Sequence, residues 1–231
     1  MTSPAYRNRL RALLTPAERR VLARLNTPQK IQTFLDKLPA NYCLDGDTAM
    51  SPRGVLRART AHCAEGAVFA VAALSFHSRK SWLVDMRALP SDQDHIVTLF
   101  RERGLWGAIS KTNHPILRWR DPIYRSPREL IMSYAHEYCL AGGKKSLLEY
   151  SRPFALTRYT PGRWLTPEED LDWLMLALDE VPHLPIAPKA ALRQRRRLSA
   201  IERDAHNQVE WPDPRKARPL PAPKRKAKAK P

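Results

Sequence analysis

Thr60-Ala61-His62-Cys63-Ala64-Glu65-Gly66-Ala67-Val68-Phe69-Ala70-Val71-Ala72-Ala73-Leu74 is the segment around which the other elements are arranged. Ala67, Phe69, Ala70, Val71, Ala73 and Leu74 are apolar nearly all round a 3.6-residue period, which predicts a central, buried helix reaching about His77. Its small side chains let neighbouring elements approach closely. Cys63 falls in its first turn. Only the thiolate is a good nucleophile, and the free N–H groups and dipole of a helix start favour negative charge there. A buried cysteine is also among the commonest core residues, so the position calls for a partner before it implies chemistry.

That partner is sought downstream. Trp82-Leu83-Val84-Asp85-Met86 reads as a strand, Ser91-Asp92-Gln93-Asp94 as a polar connection, and His95 to Phe100 as a second strand. Arg101-Glu102-Arg103-Gly104 is a turn, and Leu105 to Ser110 pairs back as a hairpin. His95 therefore opens a strand just after two acids. A base must reach its nucleophile and be held in one tautomer by a third group.

Upstream, Thr15-Pro16-Ala17-Glu18 is a capping box for a helix to about Leu25. Thr27-Pro28 opens another, with Ile31, Phe34, Leu35 and Leu38 on one face, and Pro39 stops it. Residues 41–50 form a loop, and Ser51-Pro52 opens a short helix through Arg59. Downstream, Asn113 to Tyr124 is irregular. Ser126-Pro127-Arg128-Glu129 opens a helix to about Leu140, stopped by Gly142-Gly143. Thr166-Pro167-Glu168-Glu169 caps a helix through Leu178, and a basic helix spans about Pro188 to Ala205. The pattern predicts an α+β fold, helices packed around a small antiparallel sheet.

The 231 residues suit one domain of moderate size with a tail. No apolar run approaches the roughly 20 residues that span a membrane, and no signal-peptide segment follows Met1, so a cytoplasmic protein is expected. Cys43, Cys63 and Cys139 are odd in number and widely spaced, which favours free thiols over a disulfide framework. Net charge is +17, and Pro212 to Pro231 holds eight basic residues against the single acid Asp213. With six prolines and one large apolar residue, that tail is expected to be disordered. It suits contact with nucleic acid or an acidic partner. His136 and Cys139 lie three apart, but His62, His77, His95, His114 and His136 lack paired ligand spacing, so neither metal nor cofactor is expected.

The order Cys, strand, His, hairpin carries a resemblance. His62-Cys63-Ala64-Glu65-Gly66-Ala67, Asp94-His95-Ile96-Val97-Thr98-Leu99-Phe100 and Leu105-Trp106-Gly107-Ala108-Ile109 together resemble the three blocks of the transglutaminase-like superfamily of papain-like cysteine enzymes, particularly its small bacterial members. The resemblance covers Arg57 to Asn113. It implies a nucleophile, Cys63, at a helix N-terminus, His95 as its base, and acyl transfer on an amide or thioester of a protein or peptide substrate. It also implies a division into an N-terminal helical segment (1–59), a core (60–125), a C-terminal helical part (126–211) and the basic tail (212–231). Counting from Trp106, the family's aspartate falls on Ser110, a departure; Asn113 and Asp121 are the other candidates to orient the imidazole. A catalytically degenerate fold acting as a binding protein through its basic tail is the alternative.

Overall fold

The computed structural model describes residues 2–44 and 46–216. Three helices come first: α1 (Pro4–Ala12), α2 (Pro16–Arg24) and α3 (Pro28–Asp36). Each has proline in its first turn and a hydroxyl N-cap, from Ser3, Thr15 and Thr27. Proline lacks the N–H that a helix start would leave unpaired anyway, and the hydroxyl accepts from one that remains. Ser3-Pro4 carries the same signature as the other two, so α1 was as legible as its neighbours; it lies beyond the expected elements. Next, α4 (Pro52–Ala58) ends on Arg59 in the left-handed conformation. The central helix α5 (Cys63–Phe76) follows, buried at every position from Ala64 to Phe76.

The sheet begins with β1 (Ser81–Arg87), β2 (His95–Glu102) and β3 (Leu105–Ile109). The β2–β3 turn has positive φ at Arg103 (50°) and Gly104 (84°), the geometry a tight hairpin needs to match strand twist. Three more strands, β4 (Arg120–Tyr124), β5 (Glu149–Ser151) and β6 (His183–Pro185), complete an antiparallel sheet in the order β4-β3-β2-β1-β5-β6. The fold is α+β. One face packs Leu83, Ile96, Phe100 and Ile109 on α5 and the N-terminal helices; the other packs Val84, Met86, Val97 and Leu99 on Leu130, Ile131, Tyr134 and Tyr138. Burial on both faces explains the continuous apolar runs in β1 and β2.

Between β4 and β5 lies α6 (Pro127–Met132), and between β5 and β6 lies α7 (Asp172–Asp179). Both are shorter than expected. After α6 the chain turns through Tyr134–Glu137 and Gly143 adopts φ 80°, so the glycines close a loop at the Cys139–Lys145 bridge rather than a helix. Thr166 does not cap α7. Residues 167–171 are held by the 49–51 loop instead: Ser51 Oγ donates to the Pro167 carbonyl, Ala49 N to Asp170 and Leu171 N to the Ala49 carbonyl. The basic helix is two pieces, α8 (Lys189–Arg193) and α9 (Ala200–His206). Between them Arg195 donates to the Leu147 and Lys145 carbonyls, and Leu198 N to the Gly143 carbonyl. Those tertiary bonds replace helical ones. The segment 113–124 expected as irregular contains β4. Of the expected disordered tail, Pro214–Lys216 forms a 3-10 turn with Arg215 bonded to Asp213, and 217–231 lies outside the described residues.

Candidate active site

The entry to α5 is set by its flanks. The chain before it pairs with residues 39–41: Ala61 N donates to the Pro39 carbonyl and Asn41 N to the Ala61 carbonyl. His62 is the N-cap, its Nδ1 accepting from the Ala64 amide at 3.2 Å. Glu65 answers from the third helical position. Its carboxylate, 1% exposed, accepts from His62 N (2.9 Å), Thr48 Oγ1 (2.8 Å), Met50 N (3.2 Å) and Asn41 Nδ2 (3.1 Å). A buried carboxylate is tolerable only when so supplied with donors. The network pins the 41–50 loop to the start of α5 and fixes where Cys63 points. Cys63 N–H itself is among those a helix start leaves without an intrahelical acceptor.

Packing ties the helix to the strand that bears His95. Thr98 Oγ1 donates to the Ala67 carbonyl at 2.6 Å. Gly66 faces Lys111 so closely that a Cβ there would lie 2.5 Å from Lys111 Cβ. Lys111 is itself buried, its stem against α5 and its ammonium on the Leu38 carbonyl past the end of α3. Burial lowers its pKa.

Cys63, half-buried, lines a cleft of about 960 Å³ with His62, His95, Tyr42, Asn113 and Tyr138. The far wall is the C-terminal segment, including His206, Val209, Pro212 and Asp213. Two imidazoles, His62 and His95, line the same cleft as the thiol and act on its ionisation. Burial alone would push that thiol up; the two rings, as hydrogen-bond partners and as positive charges, outweigh it and hold the thiol well below its ordinary range. Burial likewise opposes charge on His62, but Cys63, Glu65 and the Thr48 carbonyl overcome it and push its pKa up to about 9.

The tautomer of His95 follows from its neighbours. Ser110 Oγ donates to the Leu117 carbonyl at 2.5 Å, which uses its one proton. The contact of 2.8 Å between that oxygen and His95 Nε2 must therefore be donated by the ring. Nε2 carries hydrogen and Nδ1 is the free base. Ser110 is in turn clamped by Gln32 of α3, whose amide accepts from Ser110 N (3.0 Å) and donates to its carbonyl (2.8 Å).

Asn113 and Asp121 do not reach the imidazole. Asn113 Nδ2 donates to Tyr42 Oη and the Trp211 carbonyl, and its Oδ1 accepts from Trp211 N. It fastens the C-terminal segment to the cleft. Asp121 accepts from Trp119 Nε1 on the surface. Asp92 and Asp94, the acids before His95, are also taken: Asp94 accepts from Ala88 N and Asp92 from Ser146 Oγ. Tyr138 Oη donates to the Gln93 carbonyl at 2.6 Å and braces that connection. The group that meets His95 is Ser110, the position that the block pattern itself marks.

Sequence reasoning left out His62 as a functional residue, together with Glu65 and Gln32. His62-x-x-Glu65 has the spacing of a capping box, but histidine is an unusual cap, which hid the signal. Among the described residues, no group of three or more His, Cys, Asp or Glu could hold a metal ion; His136 is engaged with Lys145 instead. No protein-family model matches the chain, and no curated protein matches its sequence.

Proposed function

We propose that the chain is a cysteine-dependent acyl-transfer enzyme acting on an amide or thioester, built on a transglutaminase-like core. The observation that carries this reading is Cys63 at the first position of α5, lining one cleft with two imidazoles, His62 and His95. The thiolate attacks the carbonyl carbon, forming a C–S bond. The oxyanion is met by the Cys63 N–H at the helix start. As the C–N or C–S bond of the substrate breaks, the leaving atom takes the proton that the thiol gave up to an imidazole. Water or an amine then attacks the acyl-enzyme, His95 Nδ1 takes its proton, and the proton passes to the departing Cys63 sulfur. A cytoplasmic setting suits its free thiols. The competing reading, a binding protein, rests on the charge of the tail alone.

Iodoacetamide labelling tests the first step. Cys63 should react faster at pH 6–7 than Cys43 or Cys139, whose thiol burial pushes up to about 11. Equal rates at all three cysteines would overturn the proposal.

A further inference from the structure

The imidazole that should be best able to hold a positive charge is not the one the block pattern points to. His95 Nε2–H is donated to a neutral hydroxyl, Ser110 Oγ, which is already committed to the Leu117 carbonyl. A hydroxyl fixes a tautomer but supplies no counter-charge to an imidazolium. At the start of α5, His62 Nε2 lies 2.7 Å from the Thr48 carbonyl oxygen and 3.3 Å from Glu65 Oε1. A carbonyl only accepts, so Nε2 of His62 carries hydrogen. Its Nδ1, which accepts from the Ala64 amide, holds the lone pair. The two rings are thus in the same tautomer, each with its lone pair on Nδ1, and they differ in what meets Nε2. The carboxylate missing behind His95 is present behind His62.

We infer that His62, backed by Glu65, is the proton acceptor of the resting enzyme, so that Cys63 is stored as a thiolate against His62 rather than against His95. This rests on the proposed cysteine chemistry. In the step, the S–H bond of Cys63 breaks and an N–H bond forms at His62 Nδ1; no charge is gained or lost. The proton displaces the Ala64 amide from Nδ1, which costs one backbone hydrogen bond. A cation at a helix start also opposes the helix dipole. The thiolate and the buried Glu65 carboxylate are the charged groups that face the ring, and both favour the cation. The division of labour keeps the His95 Nδ1 lone pair for the water or amine that resolves the acyl-enzyme. Thr48, near the end of the loop that Glu65 pins, links this ionisation to the position of the cleft wall at Asn41.

The test is the pH dependence of iodoacetamide alkylation at Cys63 in the full chain, followed by mass spectrometry from about pH 4 to 9. Three proteins are compared: unaltered, His62→Asn and His95→Asn. Asparagine is a good helix N-cap, so His62→Asn keeps the start of α5 while removing the ring. The expected result is an upward move of the alkylation inflection by at least about one pH unit, a tenfold loss of rate at pH 6, in His62→Asn. In His95→Asn the inflection moves by less than it does in His62→Asn. The reverse pattern overturns the inference and returns the proton to His95. Should His62→Asn fail to fold, the ¹⁵N shifts of the unaltered protein decide: an imidazolium at His62 and a neutral ring at His95 near pH 7 support the assignment, and a neutral His62 overturns it. The two levels of the argument fail separately. An ordinary free-cysteine profile in the unaltered protein sinks the cysteine enzyme and this assignment together; a low inflection indifferent to His62 sinks only the latter.

Discussion

Ser110→Ala isolates the relay that fixes His95. The hydroxyl sits between His95 Nε2 at 2.8 Å and the Leu117 carbonyl at 2.5 Å, and is the acceptor of one and the donor to the other. Alanine removes both bonds and adds nothing. Ser110 is 1% exposed, His95 7% and Leu117 8%, so bulk water does not replace the lost partner for either group. An orphaned buried polar group costs about 1–3 kcal/mol, so two cost about 2–6 kcal/mol. That is a large share of the roughly 5–15 kcal/mol by which a domain is stable. Ser110→Thr is the control: it keeps the hydroxyl and adds one methyl, an overpacking cost of about 1–3 kcal/mol. Urea unfolding followed by tryptophan fluorescence reads the stability of each. Alanine should lower the midpoint more than threonine does, and His95 ring NMR should show mixed tautomers only in the alanine variant. A Ser110→Ala protein with an unchanged midpoint and a single Nε2–H ring would refute the relay, because both depend on the same hydroxyl.

Three more outcomes follow from the same geometry. Gly66→Ala drives a methyl to 2.5 Å from Lys111 Cβ, and the strain should cost about 1–3 kcal/mol by urea unfolding while lowering Cys63 alkylation, since Lys111 adjoins Ser110. Asn113→Ala releases the Trp211 backbone from its bonds to that side chain, and hydrogen exchange at the Trp211 amide should quicken by about tenfold or more, the effect of roughly 1.4 kcal/mol; unchanged exchange would show that the cleft wall is held elsewhere. Asp85, within β1, is pushed up to about 6 by burial and by Asp94 despite its hydrogen bond from His183, and its Oδ1 has no partner among the described residues. Because the folded pKa lies above the unfolded 3.8, the folded state holds this proton more tightly, and stability falls as pH rises from about 4 through about 6. Asp85→Asn should therefore raise the unfolding midpoint at pH 8 relative to the unaltered chain, with a smaller difference near pH 4; a gain that is the same at both pH values would refute the linkage.

The elements that the amino-acid order made legible are those whose signals are local. Ser or Thr before Pro marks α2, α3, α4 and α6 at their starts, because proline and the cap hydroxyl act within one turn. The β2–β3 hairpin is local in the same sense, its register set by a two-residue turn at Arg103-Gly104. The misreadings are where distant backbone groups intervene. Residues 166–169 carry a capping sequence, yet Pro167, Asp170 and Leu171 bond the 49–51 loop, more than a hundred residues away. Similarly, the basic stretch 188–205 has helical composition throughout, but Arg195 and Leu198 find carbonyls at 143–147 and the helix breaks between them. Strand β4 has alternating exposure along a short edge and Pro122 within it, so neither composition nor period distinguishes it from loop.

The site divides along the same line. Cys63 at a helix start and His95 at a strand start are positions that periodicity can place, and one strand ladder with one helix crossing brings them to the same cleft. The orienting group is different in kind, because it is defined by where a hydroxyl proton goes. Ser110 looked like a loss when compared with an aspartate. Its proton is spent on Leu117, and that expenditure forces the hydroxyl to accept from His95. Nothing short of the Leu117 carbonyl's position reveals this, since six residues of non-repetitive chain separate the two. An aspartate at 110 would not restore a better site here: it has no proton to give, and would set its charge against the Leu117 carbonyl while Gln32 holds the backbone in place. The counter-charge stands at Glu65, in a capping box at the start of α5 that its unusual histidine cap concealed in the sequence.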